Sequence, residues 1–184
     1  EAGARAYGVP LSALLDGSEA VKAQHFKERQ TLAPAKLEDG TEISLPNGVL
    51  EIDGQRMTVG EQAIAPPVSL SPPPIPGLPL SGLKVLDLGV IVVGGEQGRL
   101  LADLGADVIK IESRAFPDGT RQSDTATGIS TSFAAGHRNK RSLGLNLRSD
   151  EGKAIFEKLV AKADVVLTNF KPGTMESLCL GYDH

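Results

Sequence analysis

The sequence carries a single cysteine, Cys179, in 184 residues. That excludes an internal disulfide and a cysteine-based metal site, and makes a reducing, cytoplasmic compartment the simplest setting. It has no apolar run approaching the length of a membrane span. It has no basic excess either: 19 Lys and Arg stand against 23 Asp and Glu, a net charge of −4, which argues against a general nucleic-acid binder. The opening EAGARAYGVP lacks the basic start and apolar centre of a signal peptide. It also lacks a starting methionine, and LCLGYDH ends with no obvious terminal element, so the chain is expected to be a piece of something longer. No internal repeat is found. What remains is ordinary for a globular protein: 40% apolar and 23% charged residues can bury a core, and the length suits one domain or parts of two.

The sharpest boundary is IAPPVSLSPPPIPGLPL at 64–80, which holds seven of the twelve prolines. With few backbone donors and a preference for polyproline II, it reads as a semi-rigid linker, with a Pro-rich ligand for an SH3-like module as the rarer alternative. Before it, residues 1–63 predict a small α+β segment. Two short helices are split by Gly8-Val9-Pro10 and Asp16-Gly17-Ser18, with Ser18 able to start the second. Extended runs follow, broken at EDG (38–40), PNG (46–48) and IDG (52–54) in the manner of hairpin turns.

After the linker the periodicity changes. The pattern predicts strands at 84–88, 107–112, 142–147 and 163–169. A helix is expected over 96–105, with Leu100, Leu101 and Leu104 inward. A second is expected over 149–163, capped by Ser149, with Ile155, Phe156, Leu159, Val160 and Ala163 inward. Residues 113–141 read as a polar loop. Strands alternating with helices imply parallel βαβ units, with ligand loops at the carboxyl ends of the strands.

The stretch DLGVIVVGGEQGRLLADLGADVIKIE has the outline of a dinucleotide fingerprint, but its glycines fail the test. Gly94-Gly95-Glu96-Gln97-Gly98 lacks the spaced first pair, and Gly94 lies too far beyond Gly89 for a tight phosphate turn. Glu112 stands where a ribose-binding acid would sit. The alternative is that the glycines let the helix approach the sheet closely. No P-loop Gly-Lys-Ser/Thr follows. The 113–141 loop carries Arg114, Arg121, Arg138, Lys140 and Arg141 against Asp118 and Asp124, and reads either as a phosphate-holding loop or as a solvated one. His137 has no acid or nucleophile spaced with it and is expected to be a surface or satisfied histidine. In NFKPG (169–173), Asn169 offers an amide, Phe170 a stacking face and Lys171 a charge, while Pro172 can open a helix; a plain strand-to-helix turn is the alternative. Cys179 reads as a packed small hydrophobe.

In order and spacing, LSGLKVLDLG, LLADLGADVIKIE, HRNKRSLGLNLRSDEGK and ADVVLTNFKPGTMESLCLGYD resemble the amino-terminal part of family III CoA-transferases, the CaiB–BaiF family, over about residues 80–183. The resemblance implies an α/β fold: a Rossmann-like parallel sheet over 81–184 that binds coenzyme A as substrate, in rings that interlock as a dimer. It implies CoA contacts at Ile91, Val92 and Val93, at Leu145, and at Asn169, Phe170 and Lys171. It also implies departures. Val93-Gly94-Gly95 replaces a small residue with Gly-Pro. Ser113 replaces an arginine after KIE, with Arg114 next door as a substitute. Ser177 stands at a position expected to be basic. The family's catalytic aspartate, which forms anhydride and aspartyl-CoA thioester intermediates, would lie beyond this chain, so no catalytic residue and no metal ligand is assigned and the isolated chain is expected to show no turnover. Its partners would be acyl-CoA and carboxylic acids, and the same family includes α-methylacyl-CoA racemases. AYGVPLSALLDGSEAVKAQHFKERQ resembles, more weakly, the family's carboxyl-terminal part. The implied arrangement is the tail of one copy, a linker, then the head of a second: a junction of tandem copies, as an enzyme or with this copy in a degenerate structural role.

Overall fold

In a computed structural model of the chain, residues 2–9, 11–57, 74–122 and 129–183 are described, the side chains of Ala2, Arg5 and Gln122 excepted. The chain divides into two compact units, Glu1–Ser69 and Leu70–His184.

In the first unit, α1 (Ala2–Ala6), α2 (Gly17–Ala20) and α3 (Gln24–Glu28) precede two hairpins. The cap of α2 is Asp16, two residues ahead of the expected Ser18. Its carboxylate accepts from the backbone N–H groups of Ser18 and Glu19 at 2.8 and 3.0 Å, satisfying donors the helix leaves open. Strands β1 (Leu32–Lys36) and β2 (Glu42–Pro46) pair around EDG, and β3 (Glu51–Ile52) pairs with β4 (Gln55–Arg56) around Asp53-Gly54. Both central residues of that second turn have positive φ, +50° and +72°, the geometry that favours Asp-Gly in a two-residue hairpin. PNG joins the two hairpins instead of closing one.

The second unit is built on four parallel strands: β5 (Lys84–Asp87), β6 (Asp107–Glu112), β7 (Arg141–Gly144) and β8 (Val165–Leu167), in spatial order β7-β6-β5-β8. Helix α4 (Ile91–Asp103) joins β5 to β6. The polar segment before β7 holds a 3₁₀ turn at Gly119–Gln122 and a short helix, α5 (Thr131–Gly136), where a loop was expected. Helix α6 (Asp150–Val160) crosses to β8, and α7 (Thr174–Ser177) follows. Because β5 lies between β6 and β8, the winding reverses between β5 and β8. The crevice at their carboxyl ends is the topological switch point, where open α/β sheets place ligands.

Side chains alternate across the sheet. Val85 and Val108 face α4 with Ala102, Ala106 and Leu167; Leu86, Leu88 and Ile111 face the other side with Phe156 and Leu180. On α6, Ser149 caps as expected, accepting from Gly152 N–H at 3.1 Å, and Phe156 is buried, but Ile155 and Val160 are exposed. Leu159 and Ala163 pack beside Phe156 on the same core, as expected, so the inward stripe is narrower than the sequence pattern implied.

Helix α4 differs most from expectation. It starts at Ile91, so Gly94, Gly95 and Gly98 lie inside it, and these with Ala102 form its buried face. Leu101 packs against the core, but Leu100 and Leu104 are exposed. A Cβ on Gly94 would come 2.5 Å from Gly89 Cα, and one on Gly98 would come 2.3 Å from Asp87 Oδ2. The glycines thus bring the helix onto the sheet, and larger side chains cannot occupy that face. Of the Pro-rich stretch, residues 64–73 fall outside the described residues. Residues 74–80 are turns fixed to the second unit: Leu80 N–H donates to Leu104 O at 3.0 Å, and Ile75 N–H to Ser81 Oγ at 2.9 Å. The linker expected to run to 80 is, over its last residues, part of the α/β unit.

Candidate functional site

A cavity of about 400 Å³ opens at the carboxyl ends of the strands. Its apolar walls come from Leu88, Ile111, Leu145, Leu147, Phe170 and Leu178; its polar groups come from Glu112, Ser113, Asn146, Arg148, Thr174 and Ser177. An apolar pocket with few polar groups suits a ligand with a flat, largely apolar body and a charged or hydroxylated periphery. At its edge Phe116 is more than half exposed, and the Arg148 guanidinium lies 4.3 Å from the centre of its ring. Phe116 is set there by a tight turn: its N–H donates to Ser113 O at 3.2 Å and to Ser113 Oγ at 3.3 Å.

The wall nearest the switch point is Val90–Ile91, where the chain leaving β5 enters α4. The Asn169 side chain, from the end of β8, accepts from Val90 N–H at 2.8 Å and donates to Val90 O at 3.0 Å. Its amide therefore clasps the neighbouring loop. On the other side the Asp118 carboxylate accepts from Ile91 N–H at 3.2 Å. Ile91 has φ of +58°, unusual for a β-branched residue.

Beneath that wall lies a buried charged network. Asp87 and Lys110 are register partners on neighbouring strands and both point toward the small face of α4. Lys140 donates to Asp87 at 2.7 Å and to Gly95 O at 2.9 Å; Lys110 donates to Gly89 O and to Asp118 at 3.2 Å. Burial opposes ionisation of Asp118, but the Thr120 hydroxyl and N–H, with Lys110, offset it and hold the carboxyl below its ordinary range. Burial likewise lowers the Lys140 ammonium, with Asp87 working against it.

His137, expected to be a surface or satisfied histidine, is instead buried in this network with one ring nitrogen bonded and the other not, among the described residues. Lys140 donates to its Nδ1 at 3.1 Å, so the neutral ring carries its proton on Nε2. Nε2 is buried without a hydrogen-bond partner among the described residues, 3.5 Å from Asp118 Oδ2. Burial first, then Lys140 and Lys110, push its pKa down to about 4, against opposing pulls from Asp118 and Asp87. The ring stacks on Phe133, which Arg121 covers at 3.5 Å. Arg121 in turn donates to Glu112, which also accepts from Asp118 N–H at 3.1 Å. Glu112, placed by the sequence where a ribose acid would sit, is committed to Arg121 and Asp118.

Of the expected site residues, Leu145 and Phe170 line the cavity, as do Ile91 and both departures, Ser113 and Ser177. Asn169 stands behind the wall. Val92, Val93, Arg114 and Lys171 are exposed and outside the lining. Arg114 is carried at the turn that presents Phe116. Pro172 lies outside α7, whose cap is Gly173 at φ +83°, and Cys179 is exposed at the far end of that helix with φ +57°, where a packed residue was expected. Arg148, Phe116, Asp87, Lys110 and Asp118 went unread as site residues. Two carried a signal: a lone Asp in VLDL and a lone Lys in VIKIE, each inside an apolar strand, imply buried partners.

Residues 80–184, more than half of the chain, match the model of CoA-transferase family III. The chain belongs to CoA-transferase family III. A probable CoA-transferase of Mycobacterium tuberculosis is 44% identical over 194 residues, 99% of this chain and 24% of that protein. The β subunit of a succinyl-CoA–L-malate CoA-transferase of Chloroflexus aurantiacus is 40% identical over 108 residues, 58% of this chain and 27% of that subunit. Among solved structures, a CaiB/BaiF family protein from Brucella suis is 42% identical with a TM-score of 0.52, covering 58% of this chain and 30% of that one. The chain thus spans about a quarter of the length of these curated relatives. The family fold is the α/β fold read from the sequence. Among the described residues no helix is long and apolar enough to cross a membrane.

Proposed function

We propose that the second unit is the CoA-binding head of a family III CoA-transferase that moves CoA between carboxylic acids. The observation that carries this reading is the switch-point cavity, with Leu145 and Phe170 in its apolar wall and Arg148 on Phe116 at its edge. An apolar slot suits the adenine ring, and a guanidinium at its rim suits phosphate or ribose oxygens. Relatives named as succinyl-CoA and formyl-CoA transferases support the substrate class. Arg148 supplies the charge that Ser113 and Ser177 do not. The acyl-accepting aspartate of the covalent mechanism, and the remaining substrate contacts, are assigned to the rest of a longer protein, so the chain by itself shows no CoA transfer.

The whole chain, tail and head together, aligns with the mycobacterial relative. The shares of each protein that the chain covers make that relative about twice as long as the Chloroflexus subunit. This supports a tandem arrangement in which residues 1–63 end one copy and 81–184 begin the next, the copies pairing as the interlocked dimer would. A second reading, that this copy is a degenerate structural one, is favoured by the two serines on the cavity wall. Calorimetric titration of the chain with CoA and with NAD separates these readings. CoA binding without NAD binding supports the first; binding of neither supports the structural role; NAD binding overturns both.

A further inference from the structure

We propose that Asp118 is a positioning residue: its buried carboxylate holds Ile91 in a left-handed conformation and so fixes the Val90–Ile91 wall of the cavity. The consequence for ligand affinity rests on the CoA reading above; the pinning of Ile91 does not.

Several independent observations carry it. Val90, the residue preceding α4, has no side-chain cap, so the first N–H of the helix needs an outside acceptor. Asp118 supplies it from 27 positions along the chain, placing a negative charge at the positive end of α4. Ile91 has φ of +58°, a conformation a β-branched residue keeps only when its surroundings hold it. The carboxylate is itself fixed: it accepts from Thr120 N–H at 2.9 Å and Thr120 Oγ1 at 2.7 Å, pairs with Lys110 at 3.2 Å, and is fully buried. Finally, the chain beside it packs on the same residue, since a Cβ on Gly119 would come 3.1 Å from Ile91 Cγ1. Asn169 holds Val90 from the opposite side, so two loops grip consecutive backbone units. Asp118 does not line the cavity, and any effect it has on a ligand must pass through Ile91.

The test compares two doubly substituted forms of the full chain, K110M/D118N and K110M/D118L. Neither buries a lone charge, and they differ in whether position 118 can accept a hydrogen bond. Amide exchange is read by NMR at Ile91, with Val85 and Val108 as internal references, and CoA affinity by calorimetry. The expected result is that D118L accelerates exchange at Ile91 about tenfold over the references and weakens CoA binding to a similar degree, while D118N retains both. Equal exchange at Ile91 in the two variants, or acceleration spread evenly over all three amides, overturns the proposal. Selective loosening at Ile91 in a chain that binds no CoA supports the pin and overturns the CoA reading instead.

Discussion

Lys140 Nζ lies 2.7 Å from Asp87 Oδ2, with both side chains buried beneath α4. The pair ties the end of β5 to the residue that enters β7, across the intervening β6. Gly95 O takes a further donor position of the ammonium, and Gly89 N–H donates to the other carboxylate oxygen at 2.8 Å. Each charge is therefore both paired and hydrogen-bonded, the condition under which burial is tolerated.

Removing one partner leaves the other uncompensated. Lys140→Met should destabilise the second unit by about 3–5 kcal/mol, while the double variant D87L/K140M should recover most of that loss. Urea denaturation of the three proteins measures both; equal losses in the single and double variants would contradict the account.

Of the glycines on α4, Gly98 is set by the same pair. Gly98→Ala puts a Cβ 2.3 Å from Asp87 Oδ2 and 2.8 Å from Lys140 Nζ, both confined. A loss of more than about 2 kcal/mol is expected. Gly136→Ala, on α5 with open space around it, should be neutral or stabilise by up to about 1 kcal/mol. Thermal unfolding of the two variants gives the comparison.

His137 makes stability depend on pH. Its folded pKa of about 4 lies below the ordinary value of 6.5, so folding favours the neutral ring. The contribution is complete above the ordinary value, declines as pH falls below it, and is lost through about 4. Its size is roughly 2–3 kcal/mol at the acid end of that window. Protonation there places a cation among Lys140 and Lys110, with Asp118 and Asp87 only partly compensating. His137→Gln, neutral throughout, should flatten the decline between those two values; an unchanged slope in denaturation series at several pH values would refute it.

Much of this organisation was readable in the residues, and the reasons differ by element. Strand β6 was predicted with its observed bounds because Val108, Ile109 and Ile111 form a short β-branched run that follows a Gly stop. Helix α6 followed from its Ser149 cap and acidic first turn. The start of α4 was missed because VVGG looks like a turn when helix propensity is weighed without the sheet beneath. Only the close approach of Gly89 to Gly94, and of the Asp87–Lys140 pair to Gly98, explains why small residues are required on that face. Phe170 and Leu145 could be placed from family resemblance, whereas Asn169 could not be separated from a ligand contact until its bonds to Val90 were seen. Arg148 and Phe116 meet from segments far apart in the chain, and no local pattern joins them.

Gly152 links the α6 cap to the cavity. A Cβ there would come 1.9 Å from Asn146 O, so Gly152→Ala must displace the 146–148 segment that carries Arg148 to the cavity edge. Stability should fall by about 2 kcal/mol or more, and CoA affinity with it. Calorimetry at a temperature where the variant is folded separates the two effects; unchanged affinity would detach Arg148 from the site.

The central claim is that CoA occupies the cavity at the carboxyl ends of the parallel strands. A crystal structure of the chain grown with CoA tests it most directly. The account predicts the adenine against Leu145 and Phe170, with Arg148 reaching its phosphate or ribose oxygens. CoA bound elsewhere on the chain, or an empty cavity at saturating CoA, would contradict it.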